Sequence, residues 1–203
     1  MAVIIDYEAG NLRSVQRACA EVGLPARIVA DPDVVRQADR IIFPGVGAAG
    51  AAMRSLHARG LDEALREALA CGVPFLGICL GLQISLERSE ENGQQTLGLI
   101  EGHVARFAFD NPLLKIPHIG WNEVRVHRPH PLLHGIEAGD EFYFVHAYYP
   151  RPARDDAVYA VADYDGDFVC ALGKDNFFGT QFHPEKSGRV GLRLLFNFAH
   201  WDV

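Results

Sequence analysis

The run Val73-Pro-Phe-Leu-Gly-Ile-Cys-Leu-Gly81 sets a thiol, Cys79, between Gly77 and Gly81, where an apolar strand gives way to a helical pattern. A sharp strand-to-helix turn forces its central residue into strained backbone geometry, and glycines two positions either side let neighbouring chain pass close. The side chain then projects outward at a helix N-terminus, where partial positive charge and unpaired N–H groups favour thiolate over thiol. A cysteine more commonly serves as a small buried hydrophobe. Glycine weakens a plain core strand, however, so the flanking pair points to a presented nucleophile.

A nucleophilic thiol needs a base, and Phe182-His-Pro-Glu185 offers one. The residue before a proline is pushed into an extended conformation, where side chains two apart point to the same side. Glu185 can therefore orient the imidazole of His183 and stabilise its protonated form, giving a Cys-His-Glu relay of the triad type. Read alone, His-Pro-Glu fits a surface loop equally well. Pro44-Gly-Val-Gly47 could supply the electrostatic part, because glycines around Val46 let peptide N–H groups turn toward a carbonyl that becomes tetrahedral. A lone segment of this kind is otherwise a strand-ending turn.

These residues must be held by an ordered scaffold, and the first half of the chain reads as alternating strand and helix. Strands are expected over 2–6, 26–30, 40–43 and 73–79, and helices over 11–22, 33–38, 51–57 and 61–70. Such alternation predicts an α/β fold with a mostly parallel central sheet flanked by helices, with ligands at the carboxyl ends of the strands. Asp6, Pro44-Gly-Val-Gly47 and Cys79 all fall at those ends and are expected to share one rim. Beyond Thr96 the segments 104–107, 121–126, 141–145, 158–161 and 168–172 alternate between turn dipeptides and read as antiparallel hairpins, the Asp165-Gly166 turn being the plainest. A final helix over 188–200 begins after Ser187, a helix-capping residue.

With 203 residues, 49% hydrophobic and 22% charged, the chain can bury its core as a single domain spanning 1–203. A net charge of −7 and no basic patch argue against nucleic acid and against an anionic membrane surface. The N-terminal stretch has no basic leader, long hydrophobic run or small-residue cleavage site, so a cytoplasmic protein is expected. Four cysteines, Cys19, Cys71, Cys79 and Cys170, form no CxxC pair and read as reduced thiols, the three other than Cys79 in apolar settings. His127, His130 and His134 tempt a metal reading, but prolines break their spacing and no cysteine or carboxylate joins them. No metal and no cofactor are expected. Neither a P-loop nor a GxGxxG fingerprint is present.

Taken together, Gly77-Ile-Cys-Leu-Gly-Leu-Gln83 and Gln181-Phe-His-Pro-Glu185 resemble the two catalytic motifs of the class I (triad) glutamine amidotransferases, and the resemblance runs nearly the whole length of the chain. Asp6-Tyr-Glu-Ala-Gly-Asn-Leu-Arg-Ser14, Pro44-Gly-Val-Gly47, Pro117-His-Ile-Gly-Trp-Asn122 and His183-Pro-Glu-Lys-Ser187 are similar, more narrowly, to the branch of that family serving imidazole glycerol phosphate synthases in histidine biosynthesis. The resemblance implies Cys79 as nucleophile, His183 as base and acid, and Glu185 as its orienter. It implies backbone groups of Val46, Gly47 and Leu80 around the substrate carbonyl, with Gln83 and the segment carrying His146, Ala147 and Tyr148 holding glutamine. Ala147 stands where the family usually has a hydroxyl residue, so that position brings no side-chain hydrogen bond.

The implied partner is a (β/α)8-barrel synthase subunit that forms a heterodimer with this chain and receives ammonia directly, because ammonia released into bulk becomes ammonium and is no nucleophile. The resemblance puts Asn11, Trp121, Asn122, Tyr143 and Lys186 on the docking face. Trp121 and Tyr143 also fall in strands, where core packing is the default. Rival readings are a paralogous amidotransferase subunit feeding a different acceptor synthase, a free-standing cysteine amidase acting with the same triad, and a catalytically silent regulatory subunit. Intact Cys79, His183 and Glu185 argue against the last.

Overall fold

The structure, a computed structural model, describes all residues except 110 and 112. Strands β1 (Ala2–Ile5), β2 (Ala26–Val29), β3 (Arg40–Gly45) and β4 (Phe75–Cys79) alternate with helices α1 (Leu12–Glu21), α2 (Pro32–Arg36), α3 (Ala49–Ala58) and α4 (Leu61–Ala70). After β4 come the one-turn helix α5 (Leu80–Gln83) and short strands β5 (Arg88–Ser89) and β6 (Gln94–Gln95). The remainder comprises β7 (Gly102–Arg106), β8 (His118–Glu123), β9 (Arg125–Val126), β10 (Glu141–His146), β11 (Tyr148–Pro152), β12 (Val158–Asp163), β13 (Asp167–Lys174), β14 (Phe177–Thr180) and α6 (Gly188–Ala199).

The central sheet has eight strands in the order β2-β1-β3-β4-β14-β13-β12-β9. Its β2, β1, β3, β4 and β14 run parallel, and β13, β12 and β9 extend it antiparallel. Period-two alternation divides the strand side chains between two cores. Ile4, Ile42, Leu76 and Ile78 pack on one face with Val15, Cys19, Leu194 and Phe198 of α1 and α6. Val3, Ile5, Ile41, Phe43 and Phe75 pack on the other with Leu56 and Leu65 of α3 and α4. Each fully buried side chain of this size contributes about 1.5–3 kcal/mol relative to exposure, so the two-sided burial holds the strand ends, and the groups on them, in register.

The α/β expectation is met, with particular departures. Phe177–Thr180, unassigned in the sequence reading, is a central strand, because Gly179 offers no side chain to mark the alternation and all four residues are buried. The segment 121–126 is not one strand: buried Val124 divides it, leaving β8 paired with β10 and β9 at the edge of the main sheet. Cys71 is exposed rather than apolar in setting, since α4 ends there at the surface. The helix after Cys79 is only four residues long, so its dipole is small compared with that of a full helix. Among the described residues no helix is long and apolar enough to cross a membrane.

Candidate active site

Cys79 ends β4 with φ 52° and ψ −106°, a strained conformation for a residue with a side chain, and its strand pairs with β3 so that Gly45 lies opposite Cys79. Glycine makes this turn possible: a Cβ at Gly81 would come within 1.7 Å of the Phe43 carbonyl oxygen, and one at Gly77 within 3.1 Å of the Leu82 nitrogen. The β1 ladder on β3 stops at Ile42, so Pro44 near the strand end costs no hydrogen bond to β1. Buried Tyr7 donates its hydroxyl to the Pro44 carbonyl at 2.9 Å, fixing the point from which Val46 and Gly47 leave the sheet. Burial, and then the charge of Cys79, hold the Tyr7 phenol well above its ordinary range, so it stays a donor.

His183 and Glu185 meet as their spacing predicts. Nδ1 of the ring lies 2.8 Å from Glu185 Oε1, and both side chains are 3% exposed. The other ring nitrogen, Nε2, is buried without a well-aligned hydrogen-bond partner, as is Glu185 Oε2. Burial alone would lower the His183 pKa, but the neighbouring Cys79 and Glu185 outweigh it and raise it well above the usual histidine value. An imidazolium beside a thiolate is the form a cysteine nucleophile works from.

The other cysteines are unsuited to that work. Burial pushes the Cys19 thiol up to about 12 and that of Cys170 higher still, while Cys71 lies on the surface. Among the histidines read as possible ligands, His130 stacks on Phe178 at 4.3 Å and its Nδ1 accepts from the Leu132 N–H. Among the described residues no group of three or more His, Cys, Asp or Glu is arranged to hold a metal ion.

A cavity of about 300 Å³ opens beside the thiol. Val46, Gly47, Cys79, Leu80 and Gln83 line one part of it, and His146, Ala147 and Tyr148 another. Every residue that the sequence assigned to substrate therefore borders one space. Both ring nitrogens of His146 are engaged internally, by the Tyr148 carbonyl and by His118. Val145, in the same segment as His146, lines the cavity as well, and so do Pro117, which opens the 117–122 motif, and Glu91, which no motif in the sequence marks. Glu91 lies in a 3-10 turn with no periodicity to mark it, and its Oε2 accepts from the Ala49 N–H at the start of α3. Gln181, two residues before His183, donates to Cys79 Sγ at 3.5 Å.

The residues expected to dock a partner divide in two. Trp121 on β8 is 54% exposed and pairs across to Tyr143 on β10, with Lys186 Nζ 5.6 Å from the centre of the Tyr143 ring. Their strands leave this face open to solvent, against the default of core packing. Asn11 caps α1 by accepting from the Ser14 N–H, and Asn122 turns inward, donating to the Asp163 carbonyl. Ser187 does not cap α6 with its side chain as expected. Its hydroxyl donates to the His183 carbonyl at 2.6 Å and accepts from the Tyr143 N–H at 3.0 Å, which ties the His183 segment to β10.

Comparison with known proteins accords with this geometry. The family model described as glutamine amidotransferase class-I matches residues 3–201. The chain belongs to that family. This class-I amidotransferase is 49% identical to the imidazole glycerol phosphate synthase subunit HisH of Syntrophotalea carbinolica, over 98% of the chain and 99% of the relative. It is also 49% identical to the subunit of the same name from Nitratidesulfovibrio vulgaris, over 99% of the chain and 96% of the relative. Its fold is shared with a solved structure titled PurLQS from Thermotoga maritima, at a TM-score of 0.77, 20% identity and coverage of 98% of this chain and 97% of that one.

Proposed function

We propose that this chain releases ammonia from glutamine with Cys79 as nucleophile, His183 as proton carrier and Glu185 as orienter of the imidazole. The activity goes with its membership: it is a glutamine amidotransferase, the HisH-type glutaminase subunit of imidazole glycerol phosphate synthase in histidine biosynthesis. The observation that carries the residue assignments is that Val46 and Gly47, the elbow carrying Cys79, and the strand end carrying His146 to Tyr148 all border one cavity.

The Cys79 thiolate attacks the side-chain amide carbon of glutamine, and backbone N–H groups of Gly47 and Leu80 receive the negative oxygen. The His183 imidazolium protonates the departing nitrogen, the C–N bond breaks, and a glutamyl thioester remains. Neutral His183 then takes a proton from water, which attacks the thioester and returns thiol and glutamate. Gln83 and the backbone around Ala147 hold the substrate, and the Glu91 carboxylate suits its α-ammonium group.

Ammonia must reach its acceptor before water protonates it, so the cavity is to be covered by a synthase subunit of the (β/α)8-barrel type in a heterodimer. Trp121, Tyr143 and Lys186 form the centre of the docking face, Trp121 and Tyr143 being of the aromatic kind that commonly anchors interfaces. Asn11 and Asn122 lie at its margin. The complex acts in the cytoplasm, with no nucleic acid, membrane or cofactor involved. Glutamate formation by the purified complex, measured for wild type and Cys79→Ala, tests the reading; turnover in the variant would overturn it.

A further inference from the structure

The polar side chains between the docking face and the thiol form one continuous series. Asn122 Nδ2 lies 3.4 Å from His118 Nε2, and His118 Nδ1 lies 3.1 Å from His146 Nε2. His146 Nδ1 lies 2.8 Å from the Tyr148 carbonyl oxygen, which Gln83 Nε2 also approaches at 2.9 Å. Gln83 Nε2 lies 3.0 Å from Gln181 Oε1, and Gln181 Nε2 lies 3.5 Å from Cys79 Sγ.

Chemistry fixes the direction of every link. A carbonyl oxygen can only accept, so His146 Nδ1 and Gln83 Nε2 both donate to Tyr148. Burial pushes His118 down to about 4 and His146 to about 3, so each ring is neutral near pH 7 and carries one proton. With its proton on Nδ1, His146 presents a bare Nε2, and His118 must donate to it from Nδ1. His118 Nε2 is then an acceptor, matched by Asn122, whose amide is oriented by its second bond to the Asp163 carbonyl. The second N–H of Gln83 goes to Gln181 Oε1, which turns the Gln181 amide N–H toward the sulfur. Gln83 Oε1 is the atom left to face a ligand in the cavity.

We propose that this series, from Asn122 through His118 and His146 to the Tyr148 carbonyl and from that shared acceptor through Gln83 and Gln181 to Cys79, positions the nucleophile and the substrate-binding Gln83 together, with His118 and Gln181 as positioning residues. The inference rests on the proposed glutaminase reading. It adds that β8, whose Trp121 faces outward beside Asn122, is coupled to the sulfur through two runs of donors that meet at one shared acceptor, the Tyr148 carbonyl oxygen. A buried half-satisfied link is costly, so severing the series at one end loosens the other.

The experiment uses the full chain in complex with its barrel synthase. His118→Phe keeps the stacking on Phe144 and Tyr164 but removes both hydrogen bonds; His118→Asn keeps a donor at the Nδ1 position; Gln181→Leu removes the bond to sulfur. For His118→Phe the glutaminase kcat is expected to fall about tenfold, the scale of one lost hydrogen bond, with affinity for the synthase unchanged. His118→Asn should restore most of that loss. The double variant of His118→Phe and Gln181→Leu should be no slower than Gln181→Leu alone, since members of one unit do not lose activity additively. Iodoacetamide alkylation of Cys79 should slow in both single variants, and this readout needs no glutamine, so it reports on the relay even if the wild-type complex proves not to hydrolyse glutamine. Multiplying losses in the double variant, or a wild-type kcat and alkylation rate in either single variant, would overturn the proposal. Should His118→Phe not fold, the comparison of His118→Asn with Gln181→Leu decides it by the same two readouts.

Discussion

His183 and Glu185 form a pair 2.8 Å apart in which each side chain is 3% exposed, held across a proline that fixes the backbone between them. Its free nitrogen, Nε2, has no well-aligned partner of its own, and the Cys79 sulfur keeps the ring charged. A buried pair with one open valence costs free energy that a structural pair would avoid, which supports the proposed role in proton transfer over one in stability.

For the triad, Cys79→Ala should abolish glutamine hydrolysis while partner binding and melting temperature stay near wild type. His183→Ala should cost at least about a thousandfold in kcat, and Glu185→Gln less, with no further loss when the two are combined. Because Glu185 helps raise the His183 pKa, Glu185→Gln should also shift the alkaline limb of the kcat/KM profile to lower pH. An alkaline limb that stays in place would detach Glu185 from the imidazole's chemistry.

Buried neutral histidines predict a second pH effect, on stability. His118, His146 and His130 are pushed down to about 4, 3 and 4 by burial. In the unfolded chain each takes up a proton near pH 6.5, and in the folded protein only below those values, so stability present above 6.5 is lost as pH falls. Between about pH 6.5 and 4 each such group contributes a slope of about 1.4 kcal/mol per pH unit. Denaturant unfolding of His118→Phe should show a shallower acid dependence than wild type over that window. An unchanged slope would mean that the ring titrates as it does in water.

At the elbow, Gly81→Ala is expected to destabilise the fold by more than about 3 kcal/mol, since its methyl would meet the Phe43 carbonyl oxygen, a backbone atom that cannot swing aside. Chemical denaturation measures this directly. Soluble variant with wild-type stability would mean that the turn can open without the glycine.

Much of this was legible in the sequence, because the elements that carry chemistry also break local rules. Gly77 within a strand, Gly81 just past its end, and the proline between His183 and Glu185 mark positions where backbone geometry serves a side chain. The parallel strands were legible from apolar runs bounded by helical periodicity. Illegible were the parts set by distant pairing. The strand Phe177–Thr180 has no alternation because it lies between β4 and β13 inside the sheet and both of its faces are buried, Phe178 in one core and Phe177 in the other. Glu91, His118 and Gln181 reach the site through tertiary packing, and nothing in their neighbours' spacing distinguishes them. The inward turn of Asn122 is decided by the carbonyl of Asp163, forty-one positions away.

A gate on the oxyanion loop would turn on Gly47. This residue has a φ of 96° with open space where a Cβ would lie, so substitution is penalised by backbone conformation and not by collision. Tyr7 pins the Pro44 carbonyl at the base of the loop, whereas Val46 is 43% exposed at its tip. One end is fixed and the other can turn. A peptide flip there costing about 3 kcal/mol would leave under roughly 1% of molecules with a competent oxyanion hole, and a partner that favours the flipped state by that amount would activate about a hundredfold. The isolated chain should therefore be a poor glutaminase, and the synthase with its own substrate bound should accelerate it by orders of magnitude. Gly47→Ala should depress the stimulated rate far more than it weakens docking, if Val46 and Gly47 contribute backbone groups as proposed, since the methyl narrows the conformations open to them. Glutamate production is to be measured for the chain alone, with the synthase, and with synthase plus acceptor, alongside the dissociation constant of the complex. A lone chain already running at the full rate would remove the gate and favour a free-standing amidase.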